Sequence, residues 1–108
     1  MGTVNSKLRA ELDLKHGSVV ALCRKYAVAS LQLFGSGTSG DWGPTSDLDF
    51  LVTFKPQANG SLADRFLSLA EELEALFGRR VELITPRSIR NPYFRRSVDA
   101  TRAPVYAE

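Results

Sequence analysis

Leu33-Phe34-Gly35-Ser36, ten further residues, then Asp47-Leu48-Asp49-Phe50-Leu51-Val52-Thr53-Phe54 is the stretch on which the fold turns. Its second half alternates: Leu48, Phe50, Val52 and Phe54 fall on one face of an extended strand, Asp47 and Asp49 on the other. The apolar face packs and the acids are displayed. Upstream, Val28-Ala29-Ser30-Leu31-Gln32-Leu33-Phe34 is β-compatible and apolar, and it stops at Gly35-Ser36-Gly37. Between the two strands glycine recurs at 37, 40 and 43, followed by Pro44, so residues 37–46 read as a loop of unusual backbone freedom.

Outward from this pair the periodicity becomes helical. Ser6 to about Leu14 places Leu8 and Leu12 on one face, and Gly17 after His16 reads as its stop. His16, the only histidine, then sits at a helix C-terminus, where a cation is favoured, and is not expected to be catalytic. Ser18 reads as the cap of a second helix through Tyr26, with Val19, Val20, Leu22 and Cys23 turned inward. After a turn at residues 55–60, Ser61 with Asp64 forms a capping-box variant that opens a helix to about Phe77, with Leu62, Phe66, Leu69, Leu73 and Leu76 as its core stripe. Gly78 ends it. Val81 to Thr85 forms a third strand in which Glu82 opposes Val81 and Leu83, residues 87–100 read as a helix with Pro92 in its first turn, and Ala103 to Ala107 as an ordered tail or strand. The fold class expected is α/β (α+β): a small mixed sheet of three or four strands, helices packed on one face and the acids on the other.

Composition narrows the function classes. The 108 residues fit a single domain, 1–108, and an apolar share of 44% with a charged share of 24% suits a globular chain better than a disordered one. No run approaches the roughly 18 apolar residues that cross a bilayer, and no signal-peptide core is visible, so no membrane association and a cytoplasmic location are expected. Met1-Gly2-Thr3-Val4-Asn5-Ser6 fits the permissive myristoylation pattern, which is short and common by chance. Cys23 is single and cannot form an internal disulfide. Charge is uneven: residues 1–78 carry seven Lys/Arg against nine Asp/Glu, whereas residues 79–108 carry seven Arg against three acids. That basic segment could face nucleotide phosphate, an acidic protein or RNA, or cover apolar surface with its arginine stems.

The acids carry the chemistry. Two carboxylates buried side by side without a cation repel and raise one another's pKa, which makes a divalent ion their natural partner. Hard oxygen ligands favour Mg2+ or Mn2+, and magnesium completes its octahedron with waters and substrate phosphates. Residues two apart on a strand stand roughly 6–7 Å apart with parallel side chains, so Asp47 and Asp49 can both reach ions held between them and a triphosphate. Two-ion phosphoryl transfer calls for a third carboxylate, and Glu82 is the only acid in the third strand and shares the sheet face. Gly35-Ser36 adds close backbone approach, a hydroxyl and local N–H donors for phosphate oxygens.

With those residues in place the chain resembles the minimal, MNT-type branch of the nucleotidyltransferase superfamily related to DNA polymerase beta. The resemblance spans LFGSGTSGDWGPTSDLDFLVTF, then RVELIT, then NPYFRRSVDATRAPVYAE. It implies that Asp47, Asp49 and Glu82 bind magnesium, that Gly35 and Ser36 contact the triphosphate, and that ATP is a substrate. It further implies a HEPN-type toxin partner, with AMP transferred to a tyrosine of that toxin and the chain acting as antitoxin. One departure stands out: the family loop commonly reads GSRARG where this chain has Gly35-Ser36-Gly37-Thr38-Ser39-Gly40, so Arg79, Arg80 or a later arginine would have to neutralise the triphosphate.

Three functions share this core. The leading one is Mg2+-dependent adenylyl transfer to a hydroxyl of a partner protein. The second is a weak or inactive palm that neutralises a partner by binding it. The third is nucleotidyl transfer to an RNA end or a small hydroxyl compound, disfavoured because only Tyr93 and Phe94 interleave with the arginines as stacking residues. Trp42 could stack on a base or touch a partner.

Overall fold

A computed structural model describes residues 4–35, 46–56 and 61–108. Ser36, the glycine loop with Trp42, and the first three residues of the myristoylation pattern therefore lie outside the described residues. The chain order is helix α1 (Ser6–Leu14), α2 (His16–Lys25), strand β1 (Val28–Phe34), β2 (Leu48–Phe54), α3 (Leu62–Phe77), β3 (Val81–Ile84), a 3-10 turn (Pro86–Ser88), α4 (Pro92–Thr101) and β4 (Ala103–Ala107). The four strands form one mixed sheet in the order β3-β2-β1-β4, with β2–β3 parallel and the other two pairs antiparallel. The parallel pair needs a crossover, and α3 supplies it.

Both long strands lie where the sequence puts them, β2 by its alternation and β1 as an apolar run whose register shifts between Val28 and Ser30. Leu31, Leu33, Leu48, Phe50, Val52, Val81 and Leu83 point to one side, where α1, α2 and α3 bring Leu8, Leu12, Val19, Cys23, Leu69, Leu73 and Phe77 against them. This is the main core, and burying its Leu, Phe and Val side chains contributes roughly 1.5–3 kcal/mol each before entropy is counted. Burial pushes the Cys23 thiol up to about 11, so it packs as a small apolar group. The expectation of helices over one face holds for these three. The fourth, α4, lies over part of the opposite face, where Val98 and Ile89 meet Phe34, Leu51 and Ile84 in a second, smaller cluster.

Several local expectations shift. Gly17 does not stop a helix: the break falls at Lys15, and Gly17 and Ser18 lie inside α2. The reason is tertiary, since the Lys15 ammonium donates to the Leu76 carbonyl at 2.8 Å and to Glu11 at 3.2 Å and stands over the Phe77 ring. One side chain thereby fixes the α1–α2 corner and satisfies an orphan carbonyl at the end of α3. His16 is consequently the first residue of α2, and it is exposed. In α3 the Ser61 hydroxyl accepts from the Asp64 N–H at 3.0 Å and Gly78 adopts φ 64° at the C-cap, both as the sequence predicts. The stripe differs: Leu62 is 55% exposed, while Arg65 is 9% exposed and Phe77 closes the buried face.

Arg65 is held by backbone rather than by an acid. Its Nη1 donates to the Tyr26 carbonyl at 3.4 Å and the Lys55 carbonyl at 3.3 Å, and its guanidinium carbon stands 5.1 Å from the Phe54 ring centre. It ties the start of α3 to the α2–β1 turn and the end of β2. Residues 87–100 are not one helix: the 3-10 turn ends at Ser88, and α4 starts at Pro92, capped by the Asn91 side chain, with the proline at the position that tolerates it. Ala103–Ala107 is a full edge strand against β1.

Candidate active site

The site lies where β1 ends and β2 and β3 begin. In the β1–β2 ladder Phe34 pairs with Asp49, and in the parallel β2–β3 ladder Asp49 pairs with Glu82. Two acids thus stand directly opposite each other on adjacent strands, central β2 and edge β3, an arrangement that costs stability unless something positive joins them. Asp47 precedes β2 and is exposed, as is Glu82, whereas Asp49 is half-buried. The structure therefore brings Asp49 and Glu82 together with Asp47 nearby.

Electrostatics reports the crowding. The Asp49 carboxyl is raised from 3.8 to about 6, first by burial, then by the Glu82 charge and a hydrogen bond shared with Glu82, and last by the Asp47 charge. Both charges named as acting on it, Glu82 and Asp47, are negative. At about 6 it still ionises near neutrality, so the group is destabilised yet available to a cation. That chemistry suits a hard divalent ion. Among the described residues no three His, Cys, Asp or Glu side chains form a group that could hold a metal ion, so the expected set of Asp47, Asp49 and Glu82 is not assembled as one.

Gly35 is fixed by two constraints. Its φ is +75°, where L side chains are strained, and a Cβ built on it would overlap Asp49 Oδ2 and lie 3.3 Å from Asp49 Cγ. The glycine exists so that the strand end can lie against the carboxylate. Its own N–H donates to the Thr101 hydroxyl at 3.3 Å. Gly35 thus supplies backbone shape and clearance beside Asp49.

On the other flank Arg79 donates from Nη1 to the Ser46 carbonyl at 2.9 Å, and the Leu48 N–H donates to the Arg80 carbonyl at 2.9 Å. Asp47 is held between these two anchors. Arg79, which the sequence offered as a substitute for the absent loop arginines, thus helps to build the acid-bearing segment. Sequence reasoning missed Thr101 altogether. The only signal was a threonine three residues after Val98, near the end of an amphipathic segment.

Residues 19–102 match the nucleotidyltransferase domain family. A Methanocaldococcus jannaschii protein whose name places it among the protein adenylyltransferases is 39% identical over 89 residues, covering 82% of this chain and 86% of its own length. A solved minimal nucleotidyltransferase superposes with a TM-score of 0.68 at 31% identity, over 91% of this chain and 92% of that one. The fold is also that found in a structure of a tri-AMPylated Shewanella oneidensis HEPN toxin in complex with its MNT antitoxin, with a TM-score of 0.61 at 20% identity, over 90% of this chain and 73% of the matched one. No helix among the described residues is long and apolar enough to cross a membrane.

Proposed function

The chain belongs to the nucleotidyltransferase domain family, and from that premise we propose that it transfers AMP from ATP, with magnesium, to a hydroxyl of a partner protein, a HEPN-type toxin that it neutralises. The observation that carries this is the in-register pairing of Asp49 with Glu82 beside Gly35. An acid pair raised by its own neighbours and closed on one side by a clearance glycine has no stabilising use in the free protein. It suits metal-bound triphosphate. The protein adenylyltransferase name of the archaeal relative and the AMPylated toxin of the Shewanella complex supply the acceptor class.

Asp49 and Glu82 would hold the ion from adjacent strands, with Asp47 as the third carboxylate. When bound, magnesium neutralises the acids, offsets charge on the phosphate oxygens and makes the attacking hydroxyl more acidic. Gly35 keeps the end of β1 against Asp49, and Gly35 with Ser36 would meet the triphosphate. The acceptor hydroxyl oxygen forms a bond to the α-phosphorus as the bond from that phosphorus to the bridging oxygen breaks. Pyrophosphate leaves, and the hydroxyl proton passes through the carboxylates to water.

The test is label transfer from α-labelled ATP and magnesium into a lysate of the source organism, with the wild type beside Asp49→Asn. A discrete protein labelled by the wild type alone, and heavier by one or more AMP units, is the expected result. Equal labelling by both proteins would remove Asp49 from the chemistry. A partner that is bound but never gains mass would instead mark the chain as a neutralising module that acts by binding alone.

A further inference from the structure

We infer that the cleft at the far ends of β2 and β3 is a binding site for a small amphipathic carboxylate, an apolar body that ends in one carboxyl group. The cleft measures about 510 Å3, in the range of small-molecule sites, and is lined by the last residues of β2, the start of α3 and the turn that follows β3. Phe54, one of its walls, lies five residues past Asp49, roughly 17 Å along the strand, so the cleft is separate from the acid pair.

Every charged side chain that lines it among the described residues is a cation: Lys55, Arg65 and Arg87. Lys55 is answered by Glu108 at 2.6 Å, whereas Arg87 is exposed and makes no hydrogen bond or ion pair among the described residues. Arg65 is the one that points to a ligand. It is only 9% exposed, and its sole acceptors, the Tyr26 and Lys55 carbonyls, both take Nη1. Nε is buried without an acceptor, and Nη2 has none among the described residues. Nε and Nη2 share one edge of the guanidinium, and the two parallel N–H groups of such an edge match the two oxygens of a carboxylate. A cation so enclosed is ordinarily paired, and a buried donor left unmet on a charged group is costly. The Phe54 ring, 5.1 Å from the guanidinium carbon, and the two carbonyls hold the group in place, so the open edge is presented ready-formed.

The rest of the lining sets the body of the ligand. Val52, Phe54, Pro56, Leu62 and Pro86 are apolar. Leu62 belongs by helical spacing to the core stripe of α3, yet it stands 55% exposed beside this cleft, where a hydrocarbon body would cover it. A bare inorganic anion would leave that wall in water, and a neutral hydrocarbon would leave the Arg65 edge unmet. With Lys55 already offset by Glu108, one negative group between Arg65 and Arg87 suits the charge that remains.

The experiment is an NMR titration of the full chain with 4-phenylbutyrate and with its neutral amide, 4-phenylbutanamide, on the wild type, Arg87→Gln and Arg65→Lys. We expect saturable shifts of the Thr53, Lys55, Thr85 and Arg87 backbone amides, larger than those at Asp49 and Glu82, with a Kd on the order of 1 mM for a ligand of this size. The amide should bind at least about tenfold more weakly. Arg65→Lys keeps the charge but loses the planar edge and should weaken binding roughly tenfold, and Arg87→Gln roughly threefold. Arg87 is exposed, so its variant decides the matter if Arg65→Lys folds poorly. Absence of saturable shifts at the cleft, equal affinity for acid and amide, or wild-type affinity in every folded variant would overturn the inference. None of these results bears on adenylyl transfer, which the label-transfer assay tests separately.

Discussion

The two ends of β2 carry opposite solutions to the problem of a charge drawn out of water, buried in Arg65 and half-buried in Asp49. At its far end Arg65 is surrounded by carbonyl oxygens and an aromatic face, and the residues it joins come from three elements. At its near end Asp49 is surrounded by other acids, and a glycine lies against it. The first charge is met by two carbonyl oxygens and a ring face, with its Nε unpartnered among the described residues, and the second is met by other acids. Stability and function are thus separated along the seven residues of one strand, and a metal-bound nucleotide would bring positive charge to the acids at the near end.

The strongest way to break that contrast is Asp49→Asn. It removes a charged ligand while nearly preserving shape, and adenylyl transfer should fall on the order of 10²–10³-fold, several kcal/mol of transition-state stabilisation, as read by label transfer at saturating ATP. Arg65→Ala attacks the other end. It takes a donor from two part-buried carbonyls and strips the guanidinium from Phe54, so chemical denaturation should show a loss of about 1–3 kcal/mol while residual transfer per folded molecule stays near wild type. A variant that lost transfer but kept its stability would show that the two ends are not independent.

Gly35→Ala probes the contact between turn and acid. Positive φ and overlap with Asp49 Oδ2 together should cost about 2 kcal/mol in denaturant melts, and activity should fall with it. Combining it with Asp49→Ala, which vacates the overlapped position, should recover part of the stability and none of the transfer.

The gentlest probe is pH. The folded-state value for Asp49, about 6, lies above its ordinary 3.8, so the native state holds this proton more tightly than the unfolded chain does. The stabilisation is complete below about pH 4 and is lost as pH rises through 6. Metal-free protein should therefore lose about 1–2 kcal/mol over that window after allowance for solvent screening, and Asp49→Asn should flatten the profile and exceed wild-type stability at pH 7. Thermal melts in chelator from pH 4 to 7.5 measure this directly. A wild-type profile with the same slope as the variant's would show that Asp49 is not the group responsible.

Two strands were legible for different reasons: Leu48–Phe54 because its side chains alternate with one face dry, Val28–Phe34 because it is an apolar, β-compatible run that stops at Gly35. The capping of α3 was legible because Ser61 and Gly78 act within a few residues of themselves. What escaped was decided at long range. The break at Lys15 depends on Leu76 and Phe77, the burial of Arg65 on Tyr26 and Lys55, and the hydrogen bond to Thr101 on Gly35, partners 10 to 66 residues away. In the site, sequence alternation put Asp49 and Glu82 on one face. Their direct pairing depends on the register of the β2–β3 ladder, which α3 sets and no local pattern encodes.

Cys23 makes the helix-packed half of the molecule separately observable. It is the only thiol, it has no exposed surface, and burial holds it protonated, so a thiol reagent reaches it only when that core opens. The rate of its modification under native conditions is thus a clock for opening of the large core. Substitutions at the acid pair leave the clock's own surroundings untouched, so any change they cause in its rate measures how far strain at the sheet's acidic edge propagates through the strands to the helices behind them.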